Sequence, residues 1–249
     1  MTTERTIQRI GIFSDIHGNL QALETIFQTL ETEEKVDRFY CCGDIVGYGG
    51  NPNECVDLIR AKNCPVVAGN HDYAALGLTD TSYFNEIAKR AIRWTGEVLT
   101  PENADFIRAL PLTIAEDDFL IVHSSPREPE AWNYILTLGD ARMNFEYFTQ
   151  PICFVGHSHQ PFIIESAGDK LYCPSQPYVP VAEGHRYLIN VGSVGQPRDG
   201  NPDAAYAIYD RHERRIEIKR AEYDLTAAQD AIRSRGLPSQ LADRLNHGW

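Results

Sequence analysis

Five short stretches of this chain place good metal ligands directly behind an apolar run. Ile7–Phe13 leads into Ser14-Asp15-Ile16-His17-Gly18-Asn19. There, residues two apart in an extended chain point the same way, so Asp15 and His17 can aim a carboxylate and an imidazole at one point. Val36–Cys42 ends at Gly43-Asp44, Pro65–Ala68 at Gly69-Asn70-His71-Asp72, Phe119–Val122 at His123, and Ile152–Val155 at Gly156-His157-Ser158-His159. Taken singly, each is ordinary: a histidine beside an apolar run is commonly a core residue, and an aspartate after glycine a turn former. All of them fall at strand ends in one α/β chain, and strand ends in such a sheet converge on one edge, where ligands bind.

The intervening pattern supplies the elements that position these residues. Leu20, Leu23, Ile26, Phe27 and Leu30 recur at helical spacing. Asn51-Pro52 reads as a cap with proline in the first turn of a helix through Cys55, Val56 and Ile59. This β-α-β-α-β order predicts a parallel sheet. Residues 73–110 read as a helical excursion, with Ile87, Ala88, Ala91, Ile92, Thr95 and Val98 on one face and a further helix opening at Pro101. Pro126 to Gln150 reads as a long, irregular, aromatic loop, the kind that in compact domains carries function. Strands follow at 162–165, 171–173, 187–190, 204–209 and 216–222, with antiparallel hairpins predicted among them. The tail, about 225–249, reads as helical with a break at Gly236-Leu237-Pro238. No repeat or low-complexity tract divides the chain, so one domain over 1–249 is the expectation.

Composition bounds the partners. At 249 residues, 43% hydrophobic and 23% charged, the chain has the make-up of a globular protein. No apolar run approaches the roughly 18–20 residues that span a bilayer. Met1–Arg9 lacks the apolar core of a signal peptide, and the six cysteines show no CxxC spacing; both point to a cytoplasmic protein with reduced thiols. A net charge of −12 disfavours a nucleic-acid polymer, whose phosphates need clustered Lys and Arg. An anionic substrate would need local positive charge, which bound metal ions supply.

The series Asp15-x-His17, Gly43-Asp44, Gly69-Asn70-His71-Asp72, His123 and Gly156-His157-x-His159 resembles, in order and spacing, the calcineurin-like metallophosphoesterase superfamily. Ser-Asp-Ile-His-Gly-Asn at 14–19 resembles its small prokaryotic phosphodiesterase-like branch. So does Asn190-Val191-Gly192-Ser193-Val194-Gly195, with Val191 in place of the usual proline. The resemblance implies a four-layer α/β/β/α sandwich with two divalent ions at one edge. It puts Asp15, His17 and His159 on one ion, Asn70, His123 and His157 on the other, and Asp44 between them. Imidazoles, carboxylates and an amide without thiolate suit Mn, Fe, Co, Ni or Zn better than Ca or Mg. The implied reaction is in-line hydrolysis of a phosphoester by a metal-bound hydroxide. His71 matches the family's non-ligating histidine, which assists the leaving oxygen. Relatives carry Gly-Asp-x-x-Asp, whose second aspartate orients that histidine; here the position is Gly47, leaving Asp72 as the substitute partner.

Arg198, Asn190 and Ser193, with Gln196, are the candidate substrate contacts, Arg198 as a phosphate clamp. Tyr48 and Asn19 stand near the ligands in sequence, and Arg127 and Trp132 lie in the long loop, where Trp132 reads as packing. The expected substrate is a small phosphorylated molecule, a phosphodiester or nucleotide, with a dinucleoside polyphosphate as the alternative. Absence of the aspartate at position 47 disfavours a protein phosphatase. A reading of a different class is a protein-binding scaffold, since some relatives, including a retromer subunit, keep the fold without the catalytic histidine. His71 and every ligand position are filled here, which favours the enzyme.

Overall fold

The computed structural model describes residues 7–249; the first six residues of the polar stretch Met1–Arg9 lie outside them. Two sheets face each other. The first contains β1 (Arg9–Phe13), which pairs in parallel with β2 (Arg38–Cys41) after the crossover helix α1 (Leu20–Thr32). Helices α2 (Pro52–Ala61), α3 (Asn70–Ala75), α4 (Glu86–Val98) and α5 (Pro101–Arg108) follow. The second sheet then begins with β3 (Thr113–Ala115) and β4 (Phe119–Val122), and continues after α6 (Leu138–Asn144) with β5 (Ile152–Val155), β6 (Phe162–Ala167) and β7 (Lys170–Tyr172). β8 (Tyr178–Pro180) joins the edge of the first sheet, and β9 (Arg186–Asn190) enters the middle of the second. β10 (Ala204–Asp210) and β11 (Arg215–Ala221) complete the first, before α7 (Leu225–Ser234) and α8 (Ser239–Asp243). The strand orders are β2-β1-β10-β11-β8 and β3-β4-β5-β9-β6-β7.

Ile10, Ile12, Tyr40, Ala207 and Tyr209 of the first sheet meet Phe119, Ile121, Phe154, Tyr187 and Ile189 of the second in a buried layer between them. The outer face of the first sheet is covered by α1, α2 and α5 through Leu23, Ile26, Phe27, Leu30, Val56, Ile59 and Ile107. Each such side chain, fully buried, contributes about 1.5–3 kcal/mol. The outer face of the second sheet packs Leu120, Val122, Val155 and Leu188 against Ala141 and Phe145 of the α6 region. The result is the expected α/β/β/α sandwich. Among the described residues no helix is long and apolar enough to cross a membrane. All six cysteines are free thiols, five of them buried.

The structure departs from the sequence reading in three places. The segment 65–68 does not extend into a strand; it touches β2 through a single parallel bridge, Cys41 to Val66, because Gly69 and α3 turn the chain away. The sheets are mixed, since β10 returns antiparallel beside β1. The irregular segment 126–150 holds a helix, α6, opened by a capping box between Thr137 and Asp140.

Parallel pairing is what aligns the site. Phe13 stands opposite Cys41, and Val155 opposite Asn190, so strands of both sheets end level and hand their following loops to one edge.

Glu34, just past α1, ties that helix to three strands. Its nearly buried carboxylate accepts from Arg9 at 2.5 Å, from the Tyr206 hydroxyl at 3.2 Å and from Lys219. Burial opposes its ionisation, but the hydrogen bonds from Lys219 and Arg9 outweigh that and hold the carboxyl below its ordinary value of 4.5. Charge-assisted bonds of this kind contribute about 1.5–3 kcal/mol. Glu34→Gln should therefore lower stability by about 1–3 kcal/mol at pH 7, read as a shift in urea midpoint. A carboxyl with a depressed folded pKa stabilises above its unfolded value, and that contribution disappears as pH falls through the folded one. The gap between wild type and variant should accordingly close below about pH 4.

Candidate metal centre

The five motifs meet at the shared edge. His157 N–H donates to Asp15 Oδ2 at 3.0 Å, and the backbone amides of Val194 and Gly195 donate to Ser14 and Asp15 carbonyls at 2.9 Å. Asp15 and His17 amides in turn bond the carbonyls of Gly43 and Asp44, at 3.0 and 2.9 Å. Gly156 is required by this closure, because a Cβ there would lie 2.0 Å from Ser14 Oγ and 2.3 Å from Asp15 Oδ2.

Backbone conformation marks the same residues. Ten described non-glycine residues have φ in the left-handed region, and five of them are Asp15, His17, Asp44, His157 and His159. Such conformations cost on the order of 1–3 kcal/mol each and persist where surroundings over-determine them, commonly at functional sites. They swing the side chains off the strand direction and into one cluster.

Side-chain geometry fits a cation. His17, His123 and His159 each direct Nδ1 at a backbone carbonyl: Val46 at 3.2 Å, Cys42 at 2.8 Å and Gln196 at 2.5 Å. The ring N–H belongs on Nδ1, which turns each Nε2 inward, its lone pair free wherever the ring is neutral. There His17 Nε2 stands 3.0 Å from His159 Nε2, and His123 Nε2 stands 3.1 Å from Asn70 Oδ1 and 3.4 Å from Asp44 Oδ2. Buried Asp15 Oδ1 and Asp44 Oδ2 accept no hydrogen bond, although His159 Nε2 is 3.2 Å from the former and His17 Nε2 3.5 Å from the latter. Acceptors turned on acceptors repel unless positive charge lies between them.

The electrostatics agree. Burial opposes ionisation of Asp15 and Asp44, yet the imidazoles of His159 and His123 hold both carboxyls well below the usual range. Burial likewise pushes His17 and His159 below the ordinary imidazole value, and His157 down to about 3. His123 alone goes up, to about 9, as Asp44 and Asp15 overcome its burial.

Among the described residues, those with ligand atoms all within 4.8 Å of one another form three groups: Asp15, His17 and His159; Asp15, Asp44 and His123; and His17, Asp44 and His71. Asp44 Oδ1 is committed to the His71 amide at 2.8 Å, so it offers the cluster one oxygen, Oδ2, between His17 and His123. His157 is beside the second group, its ring 5.0 Å from that of His123, with Nε2 on the Trp132 carbonyl at 2.9 Å and Nδ1 left as its free nitrogen.

His71 sits within ligand reach of His17 and Asp44, and its buried Nδ1 has no hydrogen-bond partner. Asp72 does not supply one: its carboxylate accepts from the amides of Val46 and Gly69, at 3.1 and 3.0 Å, bracing the two loops. Aromatic packing fixes the His71 ring instead, with Tyr48 at 4.5 Å and His17 and Phe84 each at 4.8 Å.

A Cβ at Gly47 would lie 2.4 Å from His17 Nδ1 and 3.1 Å from His71 Nδ1, so glycine here admits two imidazoles rather than a substrate. Gly47→Asp, which restores the residue that relatives carry, should therefore displace His17 and lower kcat/KM and metal content together. The expected loss is about 10–100-fold, the range for disturbed support of a metal ligand. A gain in kcat would contradict this account.

Among Arg198, Asn190, Ser193 and Gln196, Arg198 alone is not buried. Its guanidinium donates to Gln196 Oε1 at 2.9 Å and to the Tyr48 hydroxyl at 3.4 Å, and its amide donates to the His159 carbonyl. Asn190 and Ser193 are 1% and 0% exposed and serve as braces. Asn190 donates to the Gly156 carbonyl and Ser158 Oγ, while Ser193 Oγ donates to the Asp15 carbonyl and accepts from the Gln196 amide. Asn19 caps α1 and donates to the Gly195 carbonyl. Arg127 pairs with Glu128 and lies over Tyr147, whereas Trp132 is buried and meets the site through its carbonyl on His157 and its ring, 6.1 Å from that of His123. Sequence reasoning missed Tyr134, half exposed and stacked on His157 at 4.0 Å; the aromatic content of its loop was the available signal.

The chain matches the calcineurin-like phosphoesterase superfamily domain over residues 9–214. It is 43% identical to an uncharacterized protein of Methanocaldococcus jannaschii over 241 residues, which is 95% of this chain and 96% of that one. The crystal structure of a metallophosphoesterase from Sphaerobacter thermophilus superposes with a TM-score of 0.85 at 39% identity, covering 98% of this chain and 100% of that one. A shorter match, 26% identical over 121 residues, is to a symmetrical bis(5'-nucleosyl)-tetraphosphatase of Histophilus somni; it covers 45% of this chain and 43% of that one.

Proposed function

The chain belongs to the calcineurin-like phosphoesterase superfamily and is a metal-dependent phosphoesterase, and from that premise we propose that it uses two divalent transition-metal ions to hydrolyse a phosphodiester or nucleotide. The observation that carries this reading is the pair of orphaned, buried carboxylate oxygens, Asp15 Oδ1 and Asp44 Oδ2, among inward-facing imidazole nitrogens. Asp15, His17 and His159 would hold one ion, Asn70, His123 and His157 the other, with Asp44 Oδ2 shared between them. Bound there, two cations supply Lewis acidity at the phosphoryl oxygens and lower the pKa of an attacking water.

The protein's own part is positioning. Carbonyls of Val46, Cys42, Gln196 and Trp132 hold the four imidazoles in orientation and tautomer. His71 would donate a hydrogen bond to the leaving oxygen, and Arg198 would bind a phosphoryl oxygen. The nucleosyl-tetraphosphatase match supports a second reading, a dinucleoside polyphosphate as substrate.

The test is a panel of bis-p-nitrophenyl phosphate, p-nitrophenyl phosphate and diadenosine tetraphosphate with Mn²⁺ and other divalent ions, alongside metal analysis. Turnover of a diester or the tetraphosphate with two ions per chain is expected. A clear preference for the monoester would remove the diesterase reading, and fewer than one ion per chain with no turnover in any metal would favour a scaffold.

A further inference from the structure

We propose that Tyr134 and Tyr83 form an aromatic wall at the mouth of the metal centre that stacks against the base of a nucleoside, so that the substrate is a nucleoside phosphate ester. This deepens the phosphoesterase reading above and rests on it, because the phosphate of such an ester must reach the ligand cluster.

Two exposed rings touch candidate metal ligands. Tyr134, on the segment between β4 and α6, is 49% exposed and lies flat on His157, the ring centroids 4.0 Å and the planes 19° apart. Tyr83, on the segment between α3 and α4, is 59% exposed and is hydrogen-bonded to the Asn70 side chain through its hydroxyl. His157 and Asn70 are candidate ligands of the same proposed ion, so both tyrosines flank one half of the cluster. Arg198 is tied to the other half, its amide donating to the His159 carbonyl.

The wall is held from behind. His157 is fixed by the Trp132 carbonyl at 2.9 Å. Trp132 Nε1 donates to Thr79 Oγ1 at 3.1 Å, and its ring meets Tyr73 of α3 edge-on at 5.6 Å, so the two tyrosine-bearing segments are latched together. Phe84 backs Tyr83 at 4.9 Å between ring centroids and continues to His71 at 4.8 Å. Burial raises the Tyr134 phenol pKa and Arg198 lowers it, with Asp44 and Asp15 also acting on it, so the hydroxyl end lies on the cluster side. Among the described residues His157 is the one ring stacked on Tyr134. A ring covered on one face and open on the other is a preformed seat for a planar group, and a tyrosine side chain has few dihedrals left to order. Every nucleobase has a π face that such a ring accepts. A ribose joins that base to its phosphorus, so a base on the wall leaves the phosphate over the cluster, on the side of Arg198. A simple alkyl or sugar phosphate gains nothing from the wall.

Two diesters with the same leaving group isolate this contact: thymidine 5'-(p-nitrophenyl phosphate) and methyl p-nitrophenyl phosphate, compared as a ratio of kcat/KM. Wild type should prefer the nucleoside ester by about 5–100-fold, the range for one stacked base. Tyr134→Leu, which keeps bulk without a π face, should lose most of that preference, Tyr83→Leu part of it, and Tyr134→Phe little. A tyrosine that only supported His157 would lower both substrates together and leave the ratio alone. Saturation-transfer NMR of adenosine with Zn²⁺-loaded protein reads the wall without turnover. Its base protons should receive saturation from wild type and Tyr134→Phe, and much less from Tyr134→Leu. The wall is overturned by equal kcat/KM for the two esters in wild type, by an unchanged ratio in either leucine variant, or by a loss in Tyr134→Phe as large as in Tyr134→Leu. Wild type that hydrolyses neither ester in any divalent ion would instead overturn the phosphoesterase reading, while the adenosine spectra still decide the wall.

Discussion

Asp44→Asn should leave a folded protein that no longer holds its metals and has lost more than the about 10–100-fold that damage to a supporting residue costs. The two carboxylate oxygens have different jobs. Oδ1 accepts from the His71 amide at 2.8 Å and helps hold the loop at 69–72, a task that an asparagine carbonyl can perform. Oδ2 accepts no hydrogen bond and lies 3.5 Å from His17 Nε2 and 3.4 Å from His123 Nε2, one residue from each proposed half-site. An amide group in place of Oδ2 presents N–H donors to those nitrogens and carries no charge. In the absence of metal the substitution removes the charge that faces His123, so the unfolding midpoint of the stripped variant should fall below that of stripped wild type. Added Mn²⁺ should then separate them further. Wild type should gain stability, by about 2.7 kcal/mol at a hundred times the dissociation constant, and the variant little or none. Metal content should drop from two ions per chain to fewer than one. A variant that retained two ions would remove Asp44 from the position shared between them.

The placement of these candidate ligands was legible in sequence because it depends on something sequence displays: short apolar runs, each stopped by a polar residue. Parallel pairing of β1 with β2, and of β4, β5 and β9, turns those stops into one edge. The closure of the first sheet was not legible. β10 pairs with β1 across some 200 residues of chain, and β8 is three residues ending in proline, so neither register leaves a local signal.

Support for the site was mostly hidden, for a physical reason. The groups that orient the imidazoles are carbonyls of Val46, Cys42, Gln196 and Trp132, and every residue type has a carbonyl. Asn190 and Ser193 show the converse error. Polar residues in a Gly-rich loop look like substrate ligands, but here the backbone bends sharply after β9 and their side chains satisfy the peptide groups left unpaired. The left-handed conformations at Asp15, His17, Asp44, His157 and His159 were equally invisible, because none is glycine.

His71 is where geometry admits two roles, and one substitution separates them. Its ring is in reach of His17 and Asp44, so it could complete a metal shell; it also stands without a bond at Nδ1, so it could face a leaving group. A ligand lost to His71→Ala would take an ion with it. A hydrogen-bond donor lost there would leave both ions and lower kcat, by about 10²–10⁴-fold for an alkoxide or nucleotide leaving group. The second outcome is expected, because the other seven candidates already supply a complete set, and the packing of Tyr48 and Phe84 keeps this ring from turning far toward the cluster. It carries a further signature. p-Nitrophenolate leaves without needing a proton, so the activity lost on p-nitrophenyl esters should be smaller than on esters of poor leaving groups. His71→Gln, which restores an N–H donor, should recover part of the loss. Unchanged kcat in His71→Ala would end the catalytic assignment, and loss of one ion per chain would move His71 among the ligands.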